Sequence, residues 1–281
     1  MLLRCGSRTF DLSSPVVMGI LNVTPDSFSD GGRYTNVEAA IHHAIEMVEE
    51  GAAIIDVGGE STRPGAAEVS EADEIARVVP VISGLAARIQ VPISIDTSKA
   101  GVMAAAVTAG ATMVNDVRAL SEPGALEAVA GSNAAVCLMH MQGEPRSMQH
   151  DPKYDHVVTE VRDYLAARLE ACKSAGIDAE RIVLDPGIGF GKRLEHNLAL
   201  LAHLPVLNRL GRPVLIGVSR KSMFKTLLNR PIEARLAGGL AIGTAAILAG
   251  ASILRVHDVA ETVDAVKVAA ALRAAGYGIG G

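Results

Sequence analysis

The chain has 281 residues, room for one large domain or two small ones. A net charge of −5 leaves no excess of cations to meet a nucleic-acid backbone. Three cysteines, Cys5, Cys137 and Cys172, are odd in number and share no metal-ligand spacing, which argues against a disulfide framework and for a reducing, cytoplasmic compartment.

The opening MLLRCGSRTFDL lacks the apolar core of a signal peptide. From there strands and helices are predicted in strict alternation. A strand near 16–22 leads to a helix at 36–50, and strands 53–57, 92–96 and 112–116 lead to helices 70–89, 99–109 and 123–130. Strands 134–139, 181–185, 213–217 and 252–256 then lead to helices 155–175, 195–210, 233–249 and 259–275. No Pro/Gly/Ser-rich linker divides them. The pattern predicts one (β/α)₈ TIM barrel spanning residues 1–281, with a doubly wound open sheet as the alternative, because alternation alone does not show closure. Residues 237–254 carry no charge and are marginally long enough to cross a bilayer. Their small residues and Gly250 favour a helix followed by a buried strand.

Gly51-Ala52-Ala53-Ile54-Ile55-Asp56, Gly110-Ala111-Thr112-Met113-Val114-Asn115 and Gly250-Ala251-Ser252-Ile253-Leu254-Arg255 repeat one unit: helix, glycine turn, strand, polar residue. Six apolar runs end this way, in Asn22, Asp56, Asp96, Asn115, Asp185 and Arg255. Apolar runs of this kind suit strands buried on both faces. In a barrel their C-terminal ends converge on the face where active sites sit.

Asp96, Asn115 and Asp185 can bind a metal, act as acid and base, or accept N–H donors from a neutral ligand; a structural network is the plainer reading. The amide among them favours a flat heterocycle with an amidine-like edge, such as guanine or pterin. Arg255 and His257 can reach one anion together; alternatively Arg255 pairs with Asp258 or Glu261. Asn22 offers a hard oxygen suited to Mg²⁺, or else caps the following turn. Ser219-Arg220-Lys221-Ser222 opens a helical stretch, where two cations and free N–H groups suit an anion, and Ser222 can cap the helix. Gly187-Ile188-Gly189-Phe190-Gly191-Lys192 is neither a dinucleotide fingerprint nor a Walker loop; it allows close approach of backbone to a ligand and presents Phe190. His140 lines the pocket or satisfies a backbone group. The loops after strands 1 and 2, Thr24–Arg33 and Gly58–Ala67, have the composition of lids, and Phe28 in the first needs somewhere to pack.

The segments MGILNVTPDSFSDGG and DVGGESTRPGA resemble the two signatures of the dihydropteroate synthase family of pterin-binding enzymes. ISIDTSK, NDV, LDPGIGFGK, GVSRKS and RVHDV extend the resemblance in order over residues 15–260. It implies a transferase of folate biosynthesis that joins 6-hydroxymethyl-7,8-dihydropterin diphosphate to 4-aminobenzoate, on a barrel and as a homodimer. It implies that Asp96, Asn115 and Asp185 hold the pterin with Lys221 against it, and that Asn22, Arg255 and His257 hold the diphosphate with Mg²⁺ at Asn22. Thr62, Arg63 and Pro64, with Phe28 and Asp30, come from the two loops, and Phe190 and Ser222 border the aminobenzoate site. Catalysis falls to Asp96, Asp185, Lys221, Arg63 and Asp30. Sulfonamides are implied competitors of 4-aminobenzoate. A non-catalytic pterin-binding paralogue and a pterin-dependent methyltransferase domain are the competing readings.

Overall fold

The computed structural model describes residues 1–24, 33–61, 68–144 and 148–277, with side chains from residue 36 in the second stretch. A two-stranded antiparallel hairpin comes first, β1 (Leu2–Cys5) and β2 (Arg8–Asp11). Eight parallel strands follow: β3 (Val16–Asn22), β4 (Ile54–Gly58), β5 (Ile93–Asp96), β6 (Met113–Asp116), β7 (Ala135–Met139), β8 (Ile182–Asp185), β9 (Leu215–Ile216) and β10 (Ile253–Val256). They pair in the order β8-β7-β6-β5-β4-β3-β10-β9. A parallel bridge between Leu184 and Val214 joins β8 to the start of β9, with the Leu184 N–H donating to the Pro213 carbonyl at 2.9 Å. The ring is therefore closed: the fold is a TIM barrel, and the open-sheet alternative falls.

The helices are α1 (Arg33–Glu49), α2 (Glu71–Ala86), α3 (Ala100–Ala109), α4 (Ala125–Ala130), α5 (Val157–Ser174), α6 (Leu194–Ala202), α7 (Leu204–Asn208), α8 (Met223–Leu228), α9 (Leu236–Leu248) and α10 (Val259–Ala274). Two predictions need correction, and a third is borne out. The helix expected at 195–210 is two, broken at His203, where Pro205 near the start of α7 has no N–H to continue the ladder. The helix expected at 233–249 begins at Leu236, and α8 and a 3₁₀ turn at Ile232–Ala234 precede it. The uncharged run 237–254 is α9, a turn and β10; among the described residues no helix is long and apolar enough to cross a membrane. The repeated glycine turns do what the pattern requires: Gly51, Gly110 and Gly250 have φ of 107°, 118° and 102°, which a side chain would oppose.

Period-two alternation along each strand sorts the core into two shells. Ile55, Val57, Ile95, Val114, Val136, Leu138 and Leu184 face outward and pack under the helices. Met18, Ile54, Met113, Ala135, Cys137, Val183, Leu215 and Ile253 face the barrel axis. Leu3 and Cys5 from the hairpin and Leu12 just beyond it join that inner cluster, so the hairpin plugs the N-terminal end of the barrel. Nothing in the sequence reading anticipated this hairpin. Two residues further along their strands, Ile54, Met113, Val183 and Ile253 give way to Asp56, Asn115, Asp185 and Arg255. A polar layer thus lies directly above an apolar one, toward the C-terminal ends of the strands.

Candidate active site

The polar layer floors a cavity of about 290 Å³ at the C-terminal end of the barrel. Asn22, Asp96, Asn115, Asp185, Phe190, Lys221, Ser222, Arg255 and His257 all line it. The strands bring these residues together from positions far apart in sequence, as their places at strand ends predict. Phe28, Asp30, Thr62, Arg63 and Pro64 lie outside the described residues.

Arg255 stands at the centre of the site. Its Nε donates to Asp56 Oδ2 at 2.6 Å and its Nη2 to Asp96 Oδ2 at 2.6 Å. The alternative pairing with Asp258 is absent; Arg220 takes Asp258 instead, through Nε and Nη2. Asp56 is fully buried, and its Oδ2 also accepts from Asn115 Nδ2 at 2.9 Å. Asp56 was visible in the sequence only as one more strand-end polar residue, with no role attached. Its link to Arg255 spans 199 positions and leaves no local trace in the chain.

Burial governs the ionisation of this layer. It pushes the Asp96 carboxyl up to about 7, against the pull of Arg255 and with Asp56, Glu74 and Asp116 adding to the rise. Burial also raises Asp185, while the Gly187 N–H, donated to its Oδ1 at 2.7 Å, and the Lys221 charge work the other way. Lys221 is pulled down to about 8 by the surrounding protein, with Asp185 opposing. Its Nζ sits 4.0 Å above the centre of the Phe190 ring, a cation–π contact. Arg255 is held further into its charged form by the two aspartates.

The Ser219–Ser222 segment differs from expectation. Ser222 occupies the N-cap position of α8, but its side chain makes no capping hydrogen bond. Arg220 is committed to Asp258, so the two cations do not face one anion. Ser219 Oγ lies 3.0 Å from His257 Nδ1 and accepts the His257 backbone N–H at 3.2 Å, which ties the ends of β9 and β10 together. Arg235 donates to the carbonyls of Arg220 and Lys221 and fixes the same loop from below.

His140 is not a free pocket residue. Lys192 Nζ, nearly fully buried, lies 2.9 Å from His140 Nδ1 and donates to the His140 and Phe190 carbonyls. Burial and the neighbouring Lys192 charge lower His140 to about 3, and burial lowers Lys192 to about 7. Gly187 and Gly191 are required by contact: a Cβ would sit 1.9 Å from the His140 carbonyl oxygen at the first and 2.3 Å from the Gln142 carbonyl oxygen at the second. Glu60 also lines the cavity and was missed; Lys99 bridges it to the buried Glu74.

Asn22 presents a hard amide oxygen at the cavity, near Gly58 at the end of β4. Among the described residues no group of three His, Cys, Asp or Glu side chains is placed to hold a metal ion. The donor set therefore fits Mg²⁺ only if a ligand's phosphate oxygens complete the coordination, a common mode for this ion.

A TIM barrel with acceptors and cations packed at its C-terminal mouth is the architecture of an enzyme for a small polar substrate. A family model described as pterin binding enzyme matches residues 18–257. The dihydropteroate synthase of Escherichia coli (strain K12) is 55% identical over 260 residues, 92% of each chain. The Yersinia pestis dihydropteroate synthase, solved with a sulfonamide drug, is 53% identical and superposes with a TM-score of 0.92, covering 98% of this chain and 100% of the other. The Xanthomonas albilineans enzyme, solved with 4-aminobenzoic acid, is 52% identical with a TM-score of 0.91 over 97% and 98% of the two chains. The chain belongs to the pterin-binding enzymes and, among them, to the dihydropteroate synthases, which are transferases.

Proposed function

We propose that the chain joins 6-hydroxymethyl-7,8-dihydropterin diphosphate to 4-aminobenzoate, giving 7,8-dihydropteroate and diphosphate. The observation that carries this reading is one cavity in which the acceptors of Asp96, Asn115 and Asp185 meet the cations of Lys221 and Arg255 beside the half-buried Phe190 ring. Acceptors suit the donor-rich edge of a pterin, and cations suit the diphosphate. Asn22, Arg255 and His257 hold the diphosphate. Asn22 would hold Mg²⁺, which would supply positive charge against the leaving group.

The reacting carbon is a methylene conjugated to an electron-rich ring, so the substitution is dissociative. Charge grows on the diphosphate as the C–O bond breaks, and Arg255 and His257 stabilise it. Asp96 and Asp185 stabilise the cationic pterin and fix its orientation. The arylamine is neutral at pH 7 and attacks without a strong general base; its proton passes to Asp30 or Asp185. Arg63 acts with these groups, Lys221 lies against the pterin, and Phe28, Thr62, Pro64, Phe190 and Ser222 form the aminobenzoate side. The loops carrying Phe28 to Asp30 and Thr62 to Pro64 keep water from the cation, which would otherwise yield an alcohol. Sulfonamides compete with 4-aminobenzoate on this side.

The test follows diphosphate and dihydropteroate together with both substrates and Mg²⁺. Coupled release of both, abolished by chelating the metal, is expected. Pterin binding with neither product would favour a non-catalytic paralogue, and absence of pterin binding would overturn the reading.

A further inference from the structure

Asp56 does not line the cavity, yet it decides what the cavity offers. Its Oδ2 accepts two hydrogen bonds at once, from Arg255 Nε at 2.6 Å and from Asn115 Nδ2 at 2.9 Å. The Arg255 Nε–H can only donate, so the Asp56 Oδ2 it meets is held as an acceptor. It can therefore be met only by the NH₂ limb of the Asn115 amide. Turning the amide over would set the Asn115 carbonyl oxygen against the carboxylate, acceptor against acceptor, at a buried position. With the NH₂ limb held on Asp56, the carbonyl oxygen is the limb left for a ligand. Asp96 and Asp185, the two carboxylates that share the cavity with Asn115, add further acceptors.

We infer that Asp56 is a specificity-determining positioning residue, which locks the Asn115 amide so that its oxygen receives an exocyclic amino group of the bound heterocycle. This deepens the proposed function and rests on it: the 2-amino group of the pterin is the donor selected, and a ring bearing a 2-oxo group there meets acceptor with acceptor. A site built to pair with a donor discriminates strongly against an analogue lacking it, because its own buried polar groups are then left unpaired. Asp56 acts through Asn115 and touches no substrate. Since the same oxygen also holds Arg255, its loss weakens anion binding as well, and only the ratio between two uncharged rings isolates the effect on the amide.

The experiment measures the affinities of 7,8-dihydropterin and its 2-oxo analogue, both without diphosphate, for the full chain and for Asp56→Ala, Asn115→Ala and the double variant. The wild-type chain is expected to prefer the 2-amino ring. Asp56→Ala should lower that preference about tenfold or more, the scale of one lost oriented hydrogen-bond pair. In the Asn115→Ala background the same change should leave the ratio where it is, because the residue it acts through is gone. Asp56→Asn keeps an oxygen able to occupy the Oδ2 place and should restore part of the ratio. Equal weakening of both rings by Asp56→Ala, or an undiminished effect without Asn115, would overturn the inference and leave the proposed function standing. Failure of the wild-type chain to bind either ring would overturn both. Should Asp56→Ala not fold, the wild-type chain decides: the side-chain amide protons of Asn115, identified in NMR spectra by their loss in Asn115→Ala, should include one strongly protected from exchange. Two rapidly exchanging protons would sink the idea.

Discussion

Asp185 has two tasks that one substitution separates. Its Oδ1 receives the Gly187 N–H and so shapes the loop that presents Phe190, while its charge faces Lys221. Asp185→Asn keeps an acceptor for Gly187 and removes the charge. The fold should survive, with a melting temperature close to that of the unchanged chain, while kcat/KM falls on the order of a hundredfold or more, as for loss of one preorganised electrostatic partner. Near-normal turnover would remove Asp185 from the pterin site. Lys221 gives a pH prediction with a definite sign. Its ammonium is charged below about 8 and loses its proton as pH rises through that value, so activity should fall on the alkaline side. Arginine stays charged throughout, so Lys221→Arg should erase that alkaline limb in whatever activity remains. An alkaline limb unmoved in the variant would assign it to another group.

At the scale of elements, the loop after β8 is locked against the loop after β7, and the lock has a measurable cost. Gly187 has φ of 67° and no room for a Cβ beside the His140 carbonyl, whereas Gly176 has φ of 85° and nothing within 4 Å. Both would suffer the left-handed backbone penalty on substitution by alanine, about 1–2 kcal/mol. Gly187→Ala adds a collision with backbone, so in urea unfolding it should cost at least about 2 kcal/mol more than Gly176→Ala. Equal costs would mean that the two loops yield. The hairpin gives the converse case. Leu3 is completely buried under the barrel floor. Leu3→Ala should destabilise by about 2–4 kcal/mol while kcat/KM holds, because the apolar layer separates it from the site.

These elements also divide what the chain discloses from what it hides. The barrel strands are legible because both faces are buried and six of the eight carry an inward polar residue toward their ends; Asp96, Asn115, Asp185, Arg255 and His257 follow from that alternation alone. The hairpin is hidden because four-residue strands carry too little pattern, and its meaning lies in an apolar cluster shared with residues as distant as Met18, Ile54 and Ile253. The break before α7 had a local signal in Pro205. The partners of Arg255 and the contact of Lys192 with His140 had none, since they join residues far apart along the chain.

Across the whole molecule, the closed barrel sets the course of the proposed reaction by gathering both charged fragments into one enclosure. Strands β5, β6 and β8 supply the groups proposed to hold the pterin, and β3 and β10 those proposed to hold the diphosphate. When the C–O bond breaks, a resonance-stabilised cation and a polyanion would lie side by side with little water between them. With water largely excluded, the cation has two main fates, capture by the arylamine or return to the diphosphate. Without 4-aminobenzoate, return should dominate and net release should be slow. Return leaves a mark: an ¹⁸O label placed in the methylene–oxygen bridge should migrate to non-bridging phosphate positions in recovered substrate, and should do so faster than free diphosphate appears. Migration needs ionisation but no acceptor, so it should persist in the complete absence of 4-aminobenzoate and slow as that acceptor is added. If neither label migration nor diphosphate release occurs without the acceptor, bond breaking waits for attack and the dissociative course is wrong.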